Sequence, residues 1–157
     1  MALHMLKEHK LGAGMQVHTR LIDHNRLVFI SFTGRQTLVD AQIGLAQMKA
    51  LPEYRPDLPE ICDLSGVTSD NLDFKDMGRL ARIANEATLD IAGKKQIALF
   101  APQESVFGMC RMFATLCDIT PGKTRCAAFQ IPAEALAWLG RTEARFEDIP
   151  GFDMVLR

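Results

Sequence analysis

Polar and apolar residues follow two different periods along the chain, and the change between them marks the predicted elements. Side chains alternate from Gln16 to Ile22, which is typical of a half-buried edge strand. After a polar turn, the almost continuous apolar run Leu27–Phe32 predicts a central strand buried on both faces. The two segments together predict a β-hairpin that ends at Thr33-Gly34.

Helical spacing and strand-like apolar runs then alternate to the end of the pattern. Thr37, Asp73, Pro102-Gln103-Glu104 and Pro132 are the expected starts of four helices. The first three are expected to end near Leu51, Gly93 and Asp118. The strands expected between the helices are Glu60–Leu64, Gln96–Ala101 and Lys123–Ile131, and Ser65–Asn71 is predicted to be a polar loop.

The predicted order of elements is β-β-α-β-α-β-α-β-α. Strands that are separated by helices need right-handed crossovers, so most of the sheet is expected to be parallel, with an antiparallel strand at its N-terminal edge. We therefore predict one α/β domain over residues 15–140. A flexible arm, residues 1–14, precedes it, and a tail, residues 141–157, follows it.

Composition narrows the classes of function. The 157 residues suit one domain, and a net charge of −1 argues against a general nucleic-acid binder or a polybasic membrane attachment. No apolar run reaches the length of a membrane span or of a secretory signal. The four cysteines lack a CxxC pair or zinc spacing, so we expect buried thiols and a cytoplasmic location.

Four stretches carry a resemblance to a known family: FTGRQT, LPEYRPDLPEICDLSGV, KKQIALFAPQESVFGMCRMF and CAAFQIPAEALAWLG. In this order, over roughly residues 15–140, they resemble the SpoIIAA-like or STAS-like domains of bacteria. The resemblance implies a regulatory domain that binds a ligand or a partner and is not an enzyme. Its best-known members are anti-sigma-factor antagonists that are switched by phosphorylation of a serine. The corresponding position here falls near Leu72 or Asp73, so the scaffold carries over without the phosphoacceptor.

Two groups of residues are candidates for binding. Asp63 and Ser65, with Ser69, follow a central strand at its carboxyl end, where ligands bind in open α/β sheets. The alternative for Asp63 and Ser65 is that they bond only to their own turn. On the third predicted helix, Phe107 and Met112 flank the arc that a sheet face requires. They would meet a neighbouring helix, a second subunit, or an apolar ligand between the second and third helices.

Catalytic signals are missing from the sequence. It contains no GxSxG, HExxH or Gly-rich phosphate loop, and Cys62 is expected to be inert inside a strand. The histidines at positions 4, 9, 18 and 24 lack the partners of a metal site and are interpreted as solvated. Our first hypothesis is a non-enzymatic regulatory or protein-interaction module, as a homodimer or with another protein, without cofactor or metal. The alternative is a domain that binds a small apolar, lipid-like ligand.

Overall fold

The computed structural model describes residues 9–11, 15–70 and 72–153. These residues form one mixed β-sheet with helices on both faces. Within these residues the strands lie side by side in chain order. They are β1 (His9–Leu11), β2 (Met15–Ile22), β3 (Leu27–Gln36), β4 (Glu60–Asp70), β5 (Lys95–Phe100) and β6 (Thr124–Phe129). The helices are α1 (Leu38–Lys49), α2 (Phe74–Glu86), α3 (Glu104–Ile119) and α4 (Pro132–Trp138), followed by a 3-10 helix (Phe146–Asp148).

The strand directions confirm the predicted class of fold. β3, β4, β5 and β6 are parallel, whereas β1 pairs with β2 and β2 with β3 in antiparallel fashion. An α/β fold with a mostly parallel sheet and an antiparallel N-terminal edge is therefore confirmed. β1 adds a strand that was not predicted, inside the segment predicted to be an arm. The rest of that segment, residues 1–8 and 12–14, lies outside the described residues.

The predicted end of β3 and the loop after β4 are wrong. β3 continues to Gln36, and β4 continues through the predicted polar loop to Asp70. The two strands stay paired through two register shifts, one between Ser31 and Thr33 and one between Gly34 and Arg35, and Gly66 lies opposite Thr33. A Cβ at Gly66 would lie 2.5 Å from Thr33 Cγ2, so glycine permits this close approach. Backbone pairing rather than apolar side chains extends the strand.

The predicted caps of the first two helices are confirmed. The Thr37 side chain accepts a hydrogen bond from the Asp40 backbone N–H at 3.3 Å, and Asp73 forms a reciprocal capping box with Asp76. The C-terminal end of α2 comes earlier than predicted, at Glu86. Beyond it, the Thr88 hydroxyl accepts from the Lys123 N–H at 3.0 Å, so a turn bound to the start of β6 replaces the last helical residues.

Each face of the sheet carries its own apolar core. α1, α2 and α3 cover one face, towards which Ile30 and Phe32 of β3 point. α4 and the 3-10 helix cover the other face, where they meet Leu27 and Phe29 of the same strand. The expected burial of β3 on both faces is confirmed, because successive side chains of a strand point to opposite sides.

Residues 141–153 of the predicted tail pack against the face of the sheet that α4 covers. The Phe146 ring meets the rings of Phe29 and Phe100 edge-on at centroid distances of 5.5 and 5.1 Å. Arg141 bonds to the buried Asp23 carboxylate at 3.0 Å, which connects this segment to the β2–β3 turn. The fold therefore extends to the last described residues of the chain.

Candidate functional site

A cavity of about 100 Å³ lies between the sheet and the helices α1, α2 and α3. It exists because α2 packs chiefly against α3 and makes few close approaches to the strands beneath it. The lining is almost entirely apolar. The strands contribute Phe32, Gln36, Glu60, Cys62, Leu64, Ile97 and Leu99, and the helical side contributes Ala41, Leu45, Leu72, Met77, Leu80, Ala84, Met109, Cys110 and Phe113.

Part of the cavity lining follows β4. Glu60, Cys62 and Leu64 are alternate residues of this strand and all line the cavity. Because a strand rises about 3.3 Å per residue, these three positions span about 13 Å. A volume of about 100 Å³ leaves room for a small molecule. Met77 and Met109 give the wall adaptable side chains.

One charged side chain, Glu60, stands among these apolar groups. It is 2% exposed and its Oε1 atom accepts a hydrogen bond from the Cys62 thiol at 3.2 Å. Its Oε2 atom lies 3.3 Å from Lys95 Nζ, and one N–H of that ammonium donates to the Leu58 carbonyl at 2.9 Å. Among the described residues, Glu60 Oε2 has this ion-pair partner but no well-directed hydrogen bond.

The electrostatics favour a charged Lys95. Burial lowers the pKa of this ammonium, while the charge of Glu60 and the nearby Tyr54 raise it, and the net pKa lies above its ordinary value. Lys95 is 4% exposed, and its Nζ atom also lies 5.4 Å from the centre of the Tyr54 ring. The buried pair is thus neutral as a unit, with one open acceptor position.

A second acceptor lines the cavity at the end of β3. Gln36 is buried, and its Oε1 atom has no hydrogen-bond partner within the described ranges. Glu60 and Gln36 therefore each present an oxygen that lacks a donor. Buried polar groups without partners are uncommon in native proteins and call for an explanation.

The predicted burial of the cysteines is confirmed. All four lie in the core on the face that α1, α2 and α3 cover, and none forms a disulfide. Cys62 and Cys110 line the cavity, and Cys126 Sγ lies 3.6 Å from Cys117 Sγ. Burial, and then the charge of Glu60, hold the pKa of Cys62 well above its ordinary value. This thiol stays protonated, which makes it a poor nucleophile.

Two of the predicted site residues come together on β4, but away from the cavity. Asp63 Oδ1 accepts hydrogen bonds from the Ser65 N–H at 2.9 Å and from its hydroxyl at 2.6 Å. This is the local arrangement that was left open as an alternative for the pair. Ser69 pairs with Arg35 of β3 through the backbone, and its side chain lies outside what the structure describes.

The two predicted residues of α3 also lie outside the cavity lining. Phe107 is partly buried against the core, and its ring centre lies 6.0 Å from the Arg111 guanidinium. Met112 is 42% exposed. The cavity lies between α2 and α3, as the ligand hypothesis places it, but Met109 and Phe113 line it.

Sequence reasoning missed Glu60 and Lys95, although a signal was present. Each charged residue begins a short apolar run that becomes a parallel strand. Glu60 pairs with Ile97, two residues after Lys95, so the two side chains point to the same face of neighbouring strands. Opposite charges at these two starts were a sign of a buried ion pair.

Two comparisons with known proteins found no relative of this chain. No protein-family model matches the chain, and no match was found among characterised proteins. None of the helices in the described ranges is long and apolar enough to span a membrane. The same ranges contain no group of three His, Cys, Asp or Glu side chains able to hold a metal ion.

Proposed function

We propose that this domain binds a small, single-chain apolar molecule in the cavity between α1, α2, α3 and the sheet. The observation that carries the proposal is a small, apolar cavity whose lining includes Glu60 and Gln36, each with a side-chain oxygen that makes no hydrogen bond among the described residues. The resemblance to SpoIIAA-like and STAS-like domains supports a binding role in regulation without catalysis. The four cysteine thiols, none of which forms a disulfide, support a cytoplasmic location.

The energy available in this cavity suits a short chain. Burying a methylene group contributes about 0.8 kcal/mol, so a chain of about six carbons gains roughly 5 kcal/mol before the losses of association. Short-chain probes are therefore expected to bind weakly, with dissociation constants of about 1 mM or higher. The natural ligand, with more contacts, is expected to bind more tightly.

Native mass spectrometry of the purified protein tests this proposal. We expect a retained small molecule in the wild-type protein and its loss in Ala84→Met, which fills the cavity from α2. The matched control is Ala133→Met on α4, on the opposite face of the sheet, which should keep the molecule. Apo spectra from every wild-type preparation, together with no binding of added short-chain probes, would contradict the proposal.

A protein partner is a second candidate, supported by exposed apolar side chains. Val39 and Ile43 lie one turn apart on α1 and are 61% and 36% exposed, and Met112 of α3 is also exposed. Contact with a second copy of the chain or with another protein would cover such groups. Light scattering at high concentration tests self-association, and a monomer with no partner retained from lysate would contradict this candidate.

A further inference from the structure

The Oε2 atom of Glu60, which makes no hydrogen bond among the described residues, limits which ligands the cavity can bind. Leaving a buried acceptor without a donor costs about 1–3 kcal/mol, and more when the acceptor is charged. Among the described residues, Glu60 Oε2 makes no well-directed hydrogen bond, although Lys95 Nζ lies 3.3 Å away. A ligand that brings an O–H or N–H group to this atom would remove the penalty.

Charge balance excludes two of the three common kinds of head group. Lys95 already neutralises Glu60, so the buried pair has no net charge. An ammonium head would bring an uncompensated positive charge into an apolar cavity, and a carboxylate head would place a second anion beside Glu60. A neutral donor, such as a hydroxyl group, adds the hydrogen bond without adding a charge.

A second buried acceptor, on Gln36, also needs a hydrogen-bond donor. Gln36 Oε1 is also an acceptor that lines the cavity without a partner within the described ranges. Glu60 lies at the start of β4, and the apolar lining continues along the strand through Cys62 to Leu64. The head of a ligand at Glu60 therefore leaves its chain in the apolar part of the cavity.

We propose that the ligand is a neutral aliphatic molecule with a hydroxyl group at its end, and that Glu60 accepts the hydrogen bond of this hydroxyl. This inference rests on the proposed function and specifies the chemical class of its ligand.

Four probes of equal chain length test the head group: 1-hexanol, 1-methoxypentane, hexylammonium and hexanoate. 1-Methoxypentane has the same number of heavy atoms as 1-hexanol but lacks the donor. Binding is followed through the methyl NMR signals of Met77 and Met109, which line the cavity. We expect 1-hexanol to bind at least about tenfold more tightly than each of the others, since a hydrogen bond to a charged group is strong.

The double variant Glu60→Leu/Lys95→Met tests the role of Glu60 without leaving a lone buried charge. We expect 1-hexanol and 1-methoxypentane to bind this variant with affinities within about twofold of each other. A persisting tenfold preference would overturn the assignment to Glu60. The probe series on the wild-type protein still decides the hydroxyl specificity if the double variant does not fold.

The outcomes separate this inference from the proposed function. If no probe shifts the Met77 and Met109 signals, the proposed function fails. If all four bind with similar affinity, the cavity binds apolar molecules but the hydroxyl specificity is wrong. Tightest binding of hexylammonium or hexanoate overturns the charge argument in the same way.

Discussion

Replacing Lys95 with methionine is expected to lower the free energy of unfolding by about 3–5 kcal/mol. Lys95 Nζ lies 3.3 Å from Glu60 Oε2, and both side chains are nearly inaccessible to water. At an effective dielectric constant of about 20, their attraction is about 5 kcal/mol. Lys95→Met removes this attraction, leaves the Glu60 carboxylate buried alone, and takes the donor from the Leu58 carbonyl.

A double-mutant cycle separates the pair from its surroundings. Glu60→Leu alone is also expected to be destabilising by about 3–5 kcal/mol, because Lys95 then keeps an unpaired buried charge. In Glu60→Leu/Lys95→Met no charge remains. The Leu58 carbonyl lacks its former donor, at a cost of about 1–3 kcal/mol, and the Cys62 thiol lacks its former acceptor. The double variant should therefore be more stable than either single variant.

Urea unfolding of the wild type and the three variants measures these differences. We expect a coupling energy of at least about 2 kcal/mol between the two positions. Losses below about 1 kcal/mol in the single variants, or strictly additive effects, would refute the buried ion pair. The conclusion about the charge balance of the cavity would fall with it.

The same pair predicts how stability changes with pH. Because the folded pKa of Lys95 is raised, its stabilising contribution is complete below the unfolded pKa of about 10.4. The contribution is lost as pH rises through the folded pKa. The stability difference between wild type and Glu60→Leu/Lys95→Met should thus be constant between about pH 7 and pH 9 and should shift against the wild type above about pH 10.4. A difference that does not change over the alkaline range would contradict the raised pKa.

Three further variants test other parts of the fold. Asn85→Ala should lower the free energy of unfolding by about 3 kcal/mol or more, since the backbone groups of Cys117 and Thr124 lose their partners; a loss below about 1 kcal/mol in urea unfolding would contradict this. Gly122→Ala, at a φ of +146° and against Asn85, should lower Tm, whereas Gly108→Ala, in open space on α3, should raise it; equal shifts would contradict the strain. Met112→Glu should keep the circular dichroism of the wild type and weaken any self-association seen by light scattering, and unchanged association would remove Met112 from the interface.

The sequence pattern predicts the features that their own residues determine. The apolar run of β3 and the caps of α1 and α2 are in this class. The extension of β4 is not, because it depends on the close approach of Gly66 to Thr33 on the neighbouring strand. Polar residues in that segment satisfy their backbone groups through a partner that the local pattern does not reveal.

The candidate site was also predicted only in part, because some of its features depend on how neighbouring elements pack. An excess of apolar residues on α3 indicated a contact beyond the sheet, and the cavity does lie between α2 and α3. The excess did not show which side chains face the cavity, because that depends on the position of α2 above the sheet. Phe107 and Met112 were chosen for their place on the helix, whereas Met109 and Phe113 point inward.

Polar contacts explain how α2 remains in place above a cavity. Asn85, at its C-terminal end, donates to the Cys117 carbonyl of α3 at 3.2 Å and accepts from the Thr124 N–H of β6 at 3.1 Å. The Thr124 hydroxyl also donates to the Ala84 carbonyl at 2.9 Å. These buried bonds connect the C-terminal end of α2 to α3 and to β6. The space left beneath α2 is therefore compatible with a stable fold, and Glu60 supplies its open acceptor.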